Sequence, residues 1–292
     1  MSDYVITCCS TADLTNELLK EREISYACFT FEANGVVYKD DLGISYPADK
    51  LFADIKNGMT PVTSQVNVEE YKALFEPFLK EGKSILHITV SSGISGTLNS
   101  ATMAAEDLNL IYGNKVHVVD SLCASSGYGL LVMMAKDNLD NGMSLEDNLK
   151  WLEENKRKVI HWFFSSDLSS FIRGGRISKA AGFFGTALQI CPVMCVSDRG
   201  TLEVLEKTRT KKKASRKIVD NMLEEVGPDY DGYCYICNSA CLDDAEDVKR
   251  MILECCPKLK EVKIFNIGGV IGSHTGPGTI ALFYFGKKRA AE

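Results

Sequence analysis

Short apolar runs rich in β-branched residues alternate with longer amphipathic stretches along the first half of this chain. Such alternation is typical of an α/β fold, in which helices cover a mainly parallel sheet. The predicted strands are Tyr4–Cys9, Tyr26–Phe31, Ser84–Val90 and Lys115–Asp120. The predicted helices are Ala48–Lys56, Val68–Lys80, Leu98–Leu110 and Gly127–Asp140. Asn34-Gly35 predicts a small hairpin turn before Val36–Tyr38. We therefore expect an N-terminal α/β domain at residues 1–160.

The second half of the chain carries hairpin signals and more widely spaced helices. Asp198-Arg199-Gly200 separates two β-rich runs and predicts a tight turn between antiparallel strands. The predicted strands are Val159–Phe164, Gln189–Ser197, Thr201–Thr208, Gly232–Asn238, Glu261–Ile267 and Thr279–Gly286. The predicted helices are Ser178–Ala187, Lys211–Val226 and Leu242–Glu254. Residues 161–292 are therefore expected to form a C-terminal α+β domain with a mainly antiparallel sheet, packed closely against the first.

Composition narrows the class of protein further. The 292 residues are 45% hydrophobic and 25% charged, which are ordinary values for a globular protein with a sizeable core. The net charge of −6 argues against a general nucleic-acid binder. No stretch reaches 18 uninterrupted apolar residues and no signal peptide is visible, so we expect no integral membrane segment. Eleven cysteines, an odd number, then indicate reduced thiols in the cytoplasm.

Metal and nucleophilic sites find little support in the sequence. The four histidines are scattered, and Cys234-x2-Cys237-x3-Cys241 falls in a strand-like run where Cys234 and Cys237 point to opposite faces. No nucleophile elbow and no phosphate-binding Walker loop is present. We therefore expect no metal, no cofactor and no catalytic residue.

Several charged residues allow two interpretations each. Asp120 ends a predicted strand, where it could face a ligand or cap the following helix. The run Lys207–Lys217 holds seven basic residues in eleven positions, which suits either a solvated helix face or a docking patch for an acidic partner. The pair Asp40-Asp41 is most simply solvated surface.

Three loops rich in hydroxyl groups and glycines are the most informative part of the sequence. They are Thr63-Ser64-Gln65, Ser91–Thr97 and Gly272–Gly278, the last of which enters the final predicted strand. Hydroxyls and backbone N–H groups at turns next to helices can bind an anion, although each loop alone is explained by capping and turn chemistry. Together they predict a site for a small anionic head group, either a carboxylate or a phosphate.

At these residues the sequence resembles the DegV family of bacterial fatty-acid-binding proteins. The resemblance runs essentially end to end and rests on several motifs in the same order. They are Ser10-Thr11-Ala12-Asp13-Leu14, Thr63-Ser64-Gln65, Ser91–Thr97, Arg173-Gly174-Gly175-Arg176-Ile177, Lys207-Thr208-Arg209-Thr210 and His274-Thr275-Gly276-Pro277-Gly278.

The resemblance implies two domains with a long-chain fatty acid buried in a tunnel between them. Its carboxylate would be held at Thr63, Ser64, Ser95 and Gly96, with His274 and Thr275 closing over it from the other domain. Such proteins present the fatty acid to a separate ATP-dependent fatty acid kinase, which makes acyl-phosphate for phospholipid synthesis. Arg176 and Arg209 match the family's basic residues near the tunnel mouth, for partner docking or for holding phosphate. The stretch Ala180–Met194 could line the tunnel or belong to the ordinary core.

The chain departs from the family pattern at two positions. Cys9 stands where the family usually has Asp, and Val66 where it commonly has Pro, which puts local loop geometry in question. An alternative function is an enzyme acting on a small phosphorylated or carboxylated metabolite. In that reading His274 is the acid–base group and Asp120 orients it.

Overall fold

The computed structural model describes residues 3–177, 190–287 and 289. The predicted helix Ser178–Ala187 and most of Ala180–Met194 lie outside the described residues. In the described part, no helix is both long and apolar enough to cross a membrane.

The first half of the chain forms a parallel four-stranded sheet, as expected from the alternating pattern. Its order is β2-β1-β6-β7. The strands are β1 (Tyr4–Cys9), β2 (Ser25–Ala27), β6 (Ser84–Thr89) and β7 (Val116–Asp120). The helices of this half are α1 (Asn16–Glu21), α2 (Ala48–Lys56), α3 (Val68–Lys80), α4 (Thr97–Tyr112), α5 (Ser125–Asp140) and α6 (Leu145–Asn155). The sequence pattern predicted neither α1 nor α6.

Local sequence accounts for α3 without help from the rest of the fold. The Asn67 side chain accepts the N–H of Glu70, whose carboxylate accepts the N–H of Asn67 in return. Tyr71, Phe75 and Leu79 recur every four residues and are all buried. The cap and the apolar stripe together set both the start and the orientation of this helix.

A separate antiparallel sheet interrupts the first half. The sequence predicted its hairpin but not its third strand. Its order is β4-β3-β5, with β3 (Thr30–Ala33), β4 (Val36–Lys39) and β5 (Val62–Ser64). The hairpin at Asn34-Gly35 is confirmed, and both residues have the positive φ angles that a two-residue turn needs. The predicted strand Tyr26–Phe31 is wrong as one element, because its two ends belong to different sheets.

The second half of the chain forms a six-stranded mixed sheet of order β10-β9-β8-β13-β11-β12. Its strands are β8 (Val159–Ser165), β9 (Cys191–Val196), β10 (Leu202–Thr208), β11 (Tyr233–Asn238), β12 (Glu261–Asn266) and β13 (Thr279–Phe285). All neighbours are antiparallel except β11 and β12, so the mainly antiparallel prediction is confirmed. The helices are α7 (Ser169–Arg173), α8 (Lys211–Val226), α9 (Leu242–Cys255) and α10 (Gly269–Thr275).

The mixed sheet is apolar on both faces, and each face packs against a different layer. Phe163 belongs to a core cluster shared with α5, whereas its neighbour Phe164 packs with α8 and α9. Cys234 and Cys237 divide between these two clusters, which confirms that they point to opposite faces. Helix α5 is buried along most of its length, since it packs against strands of both large sheets. The boundary expected between residues 160 and 161 falls within β8 and stays a prediction.

Candidate functional site

A cavity of about 450 Å³ lies between the mixed sheet and the elements of the first half. This volume falls within the range of roughly 300–1,000 Å³ that is usual for small-molecule pockets. Phe163, Ala281 and Phe283 of the mixed sheet form part of its wall, and Phe29 and Ile94 form part of the opposite side. Among the described residues, thirteen of those that line the cavity are apolar and eleven are polar or charged, so the cavity combines an apolar wall with many hydrogen-bonding groups.

Six of the eight site residues expected from the sequence line this cavity. They are Thr63, Ser64, Ser95, Arg176, His274 and Thr275. Gly96 is not in the lining but lies next to it, because a Cβ at this position would meet the side chain of Gln65, which does line the cavity. Arg209 is exposed at the end of β10 and is not part of the lining.

Thr63 and His274 bring the two halves of the chain together at this cavity. Thr63 Oγ1 lies 2.8 Å from His274 Nε2, across 211 positions of sequence. Thr63 and Ser64 lie in β5, so the prediction that they form a loop is wrong. Pairing of Thr63 with Phe31 of β3 fixes the position of its side chain.

His274 and Thr275 lie in the last turn of α10, so the loop expected at Gly272–Gly278 is wrong over its first part. Glycines and β-branched residues make the α10 sequence a poor helix former. Two of those glycines allow close packing, since a Cβ on Gly269 or Gly272 would meet the rings of Phe31 and Phe52.

Two buried carboxylates from the first half hold the N-terminus of α10. Asp40 accepts the N–H of Gly269 at 2.9 Å and the N–H of Val270 at 3.4 Å. Asp13 accepts the N–H of Gly268 at 3.0 Å. These contacts satisfy N–H groups that a helix start leaves unpaired. The interpretation of Asp40 as a solvated surface residue is therefore wrong, since Asp40 is only 1% exposed.

Burial also sets the protonation chemistry of these groups. Burial raises the pKa of Asp40 to about 6, although its hydrogen bonds from Gly269 and Val270 oppose the rise. Burial likewise raises the pKa of Asp13, and the Ser125 hydroxyl donates to this carboxylate at 2.5 Å. Burial lowers the pKa of His274 to about 4, with Arg176 and Arg173 adding to the effect. His274 is therefore a neutral imidazole at pH 7.

The remaining polar groups supply donors around the same point. Ser95 Oγ accepts the N–H of Thr97 at the start of α4, at 3.3 Å, so its own O–H hydrogen stays available as a donor. Arg176 donates from Nε to Ile94 O at 3.0 Å and from one terminal nitrogen to Gly174 O. The guanidinium of Arg176 is half-buried and pairs with no carboxylate among residues 3–177, 190–287 and 289. A positive charge therefore stands in the cavity wall, and its hydrogen bonds within the described residues go to backbone carbonyls.

Asp120 does not take the role that the enzyme hypothesis gave it. Its Oδ1 accepts the N–H of Ser92 at 3.1 Å and the N–H of Leu122 at 3.0 Å, and the residue does not line the cavity. It therefore shapes two adjacent loops, while the hydrogen bond of His274 is to Thr63.

The cysteine that departs from the family pattern also lies away from the cavity. Cys9 is fully buried, with its Sγ 3.2 Å from the Tyr71 hydroxyl and 3.8 Å from His87 Nε2. Its backbone N–H donates to the Tyr128 hydroxyl at 2.8 Å. The departure at Cys9 therefore affects a buried polar cluster, and none of the four residues of that cluster lines the cavity.

Sequence reasoning missed Asp13, Asp40 and Thr11 as parts of this region. Thr11 lines the cavity and lies two residues after the end of β1, inside the motif Ser10-Thr11-Ala12-Asp13-Leu14. Asp13 belongs to the same motif, so the resemblance to the DegV family already pointed to this residue. No local pattern distinguishes Asp40 from an exposed acid, because its side-chain partners, Ser10 and the start of α10, are distant in sequence.

Comparison with known proteins agrees with this architecture along the whole chain. The family model described as an uncharacterised protein of the DegV family matches residues 4–287. A DegV domain-containing protein of Clostridium perfringens is 35% identical over 287 residues, covering 98% of each chain. The solved structure described as fatty acid binding of a DegV family protein from Thermus thermophilus superposes with a TM-score of 0.89 at 29% identity, covering 98% of this chain and 100% of that one.

A third comparison supports the fold alone. The Streptococcus pneumoniae Fatty Acid Kinase B3 protein, loaded with linoleic acid, superposes with a TM-score of 0.85 at 23% identity, covering 97% of this chain and 99% of that one. The family model, the Clostridium relative and the shared arrangement of sheets together establish that this chain belongs to the DegV family.

Proposed function

We infer that this chain binds a long-chain fatty acid, with the carboxylate beside Thr63, Ser95, Arg176 and His274 and the acyl chain along the apolar wall. The observation that carries this function is a cavity in which hydroxyl donors and a guanidinium meet Phe163, Phe283 and their apolar neighbours. The Thermus thermophilus relative, at 29% identity, is described by its fatty acid binding, which supports the same ligand class here.

The energetics favour an amphipathic ligand of this kind. Burial of an acyl chain contributes roughly 0.8 kcal/mol per methylene, about 12 kcal/mol for a chain of sixteen carbons before ordering costs. A buried carboxylate is costly without donors, and hydrogen bonds from charged or hydroxyl groups offset that cost. Arg176, which pairs with no carboxylate among the described residues, supplies the matching charge.

We further propose that this protein works in the bacterial cytoplasm and presents its fatty acid to an ATP-dependent kinase. Support for a partner comes from the surface of this chain. Within the basic run, Lys211, Arg216 and Lys217 pair with carboxylates of the chain itself. Arg209, Lys212 and Lys213 are exposed and face solvent. Ala214, Ile218 and Met222 anchor the same helix in the core, so its basic side is presented outward.

Solvent extraction of purified recombinant protein followed by mass spectrometry tests the ligand. We expect a long-chain fatty acid in about one copy per chain, and rebinding after delipidation. Absence of fatty acid together with no rebinding would contradict the proposal. As a second test, Ala281→Phe should reduce the amount of extracted lipid, because the larger side chain would occupy part of the cavity.

The kinase partner needs a separate test. Loaded protein is mixed with a bacterial fatty acid kinase and ATP, and acyl-phosphate is measured. We expect Arg209→Glu to reduce product while fatty acid affinity stays at the wild-type value. Equal product from wild type and variant would show that Arg209 does not contribute to docking.

A further inference from the structure

The turn that carries Ser95 is built around the side chain and the carbonyl of Ser91. Ser91 is fully buried, and its Oγ accepts the N–H of Gly93 at 3.1 Å. Its carbonyl oxygen accepts the N–H groups of Ile94 and Ser95, each at 3.2 Å. These three bonds close a tight turn between β6 and α4, so the position of the Ser95 hydroxyl follows the position of Ser91.

A fourth hydrogen bond ties this turn to the second half of the chain. The Ser91 hydroxyl donates to Gly200 O at 2.8 Å, across 109 positions of sequence. Gly200 lies at the tip of the hairpin between β9 and β10, and the arms of this hairpin supply Val196 and Leu202 to the cavity lining. The same hairpin therefore forms part of the cavity wall and contacts the turn that ends at Ser95.

Glycine at two positions allows the backbones of the turn and the hairpin to meet. A Cβ on Gly93 would collide with the carbonyl oxygens of Arg199 and Gly200, and a Cβ on Gly200 would overlap Ser91 Oγ. Gly200 also has a φ of +77°, in the left-handed region that favours glycine. A larger residue at either position would push the hairpin and the turn apart.

Other contacts fix the hairpin tip in place. The N–H of Gly200 donates to Ser197 O at 3.0 Å and closes the turn. The buried guanidinium of Arg289 donates to Ser197 O at 2.7 Å and to Leu122 O at 3.0 Å, which fastens the hairpin to the loop after β7. The hairpin tip is therefore held against the first half of the chain independently of its bond to Ser91.

We propose that Ser91 is a positioning residue that acts through Ser95. Because its hydroxyl is bonded to Gly200 and its carbonyl to Ser95, Ser91 transfers the position of the hairpin to the head-group side of the cavity. The Ser95 hydroxyl is aligned for an anionic head group only while the hairpin is seated against the turn. The role in ligand binding rests on the proposed fatty acid ligand, whereas the seating of the hairpin does not.

Amide hydrogen exchange in delipidated protein tests the seating of the hairpin without any ligand. Gly200→Ala should speed the exchange of the N–H groups that bond to Ser91, because the new methyl group displaces this serine. The matched control is Gly227→Ala, which has the same φ of +77° but no atom within 4 Å of the added Cβ. Unchanged exchange in folded Gly200→Ala, or equal changes in both variants, would overturn the proposal.

Removal of the Ser91 hydroxyl should weaken binding at the head-group end of the ligand. We expect Ser91→Ala to raise the Kd of a fatty acid by about tenfold, as for the loss of one hydrogen bond to a charged group. The Kd of the methyl ester of the same acid should rise less, because hydrogen bonds to a neutral group are weaker. Equal losses for acid and ester would show that Ser91 supports the cavity as a whole and not the head-group site.

Ser165→Ala is the matched control for loss of stability. Ser165 is also fully buried, and its Oγ donates to Asp167 O at 2.9 Å and accepts the N–H of Asp167 at 3.3 Å, so its removal breaks the same two kinds of bond. We expect both variants to unfold at lower urea concentration than wild type, but only Ser91→Ala to lose affinity for the fatty acid. A comparable loss of affinity in Ser165→Ala would assign the effect to general destabilisation.

A double-mutant cycle tests whether Ser91 acts through Ser95. Ser91→Ala should cause little further loss of affinity once Ser95→Ala has been made, because the hydroxyl that Ser91 positions is then absent. A further loss as large as in the single variant would show that Ser91 acts independently of Ser95. If neither wild type nor any variant binds fatty acid while exchange still responds to Gly200→Ala, the proposed function fails and the seating of the hairpin stands.

Discussion

Asp40 Oδ1 accepts the backbone N–H of Gly269 at 2.9 Å, which joins two buried residues 229 positions apart. A carboxylate that follows β4 therefore caps the helix that carries His274. Asp13 adds a second bond at Gly268. The position of His274 over Thr63 thus depends on contacts with the first half of the chain, so the integrity of the site and the stability of the fold are coupled.

This cap predicts an unusual pH dependence of stability. The pKa of Asp40 is raised to about 6 in the folded protein, above its unfolded value of about 3.9. A carboxyl with a raised folded pKa takes up a proton on folding, so its contribution is fully present below pH 4 and is lost as pH rises through 6. The difference in unfolding free energy between wild type and Asp40→Asn should therefore change by up to about 3 kcal/mol between pH 4 and pH 7. Urea denaturation across this range measures it.

Asp231→Asn is the control for that experiment, because Asp231 is an exposed carboxyl and is not one of the two that accept N–H groups at the start of α10. Its difference from wild type should stay nearly constant with pH. A constant difference for Asp40→Asn as well would show that the buried carboxyl titrates normally.

Removal of the Thr63 hydroxyl should weaken fatty acid binding. A hydrogen bond to a charged group is worth roughly 1.5–3 kcal/mol, so Thr63→Ala should raise the Kd by about tenfold to a hundredfold. Titration calorimetry with delipidated protein measures this change. Thr60→Ala, an exposed threonine outside the cavity lining, should bind like wild type. Wild-type affinity in Thr63→Ala combined with Ser95→Ala would place the carboxylate elsewhere.

Narrowing the cavity should shorten the acyl chains that fit. Ala281 is buried in β13 and lines the cavity, so a leucine there takes up ligand volume rather than core volume. We expect Ala281→Leu to carry shorter chains than wild type when the extracted fatty acids are identified by mass spectrometry. Ala53→Leu, on the exposed side of α2, should carry the wild-type mixture. An unchanged chain-length profile in Ala281→Leu would show that the acyl chain takes another route.

The cysteines should differ in reactivity according to burial. All eleven are free thiols. Burial raises the pKa of Cys9 and of Cys237 to about 12, so neither forms appreciable thiolate at pH 8. Pulsed alkylation of native protein should label half-buried cysteines such as Cys255 before those two, which should stay unmodified until the protein unfolds. Early labelling of Cys9 would mean that the buried cluster of Cys9, Tyr71 and His87 opens in the native state.

Local sequence determined a large part of this fold. The predicted helix Val68–Lys80 has the same bounds as α3, and the structure explains this by local features, the capping box at Asn67 and the four-residue spacing of Tyr71, Phe75 and Leu79. Asn34-Gly35 fixed a hairpin by the same kind of local chemistry. Four of the eight hydroxyl groups in the three predicted loops line one cavity together with His274, while the binding of an anion there stays a prediction.

Only the tertiary structure decided how that site is assembled. Helix α10 is short and rich in glycine, so its own residues favour a loop. It forms because Asp13 and Asp40 accept hydrogen bonds from its free N–H groups and because the rings of Phe31 and Phe52 pack against its glycines. Asp40 likewise resembles any exposed acid until its partners are in place. The sequence by itself determined which groups could bind an anion, whereas contacts across more than two hundred positions determined their alignment, because hydrogen bonds over that distance leave no periodic or local signature.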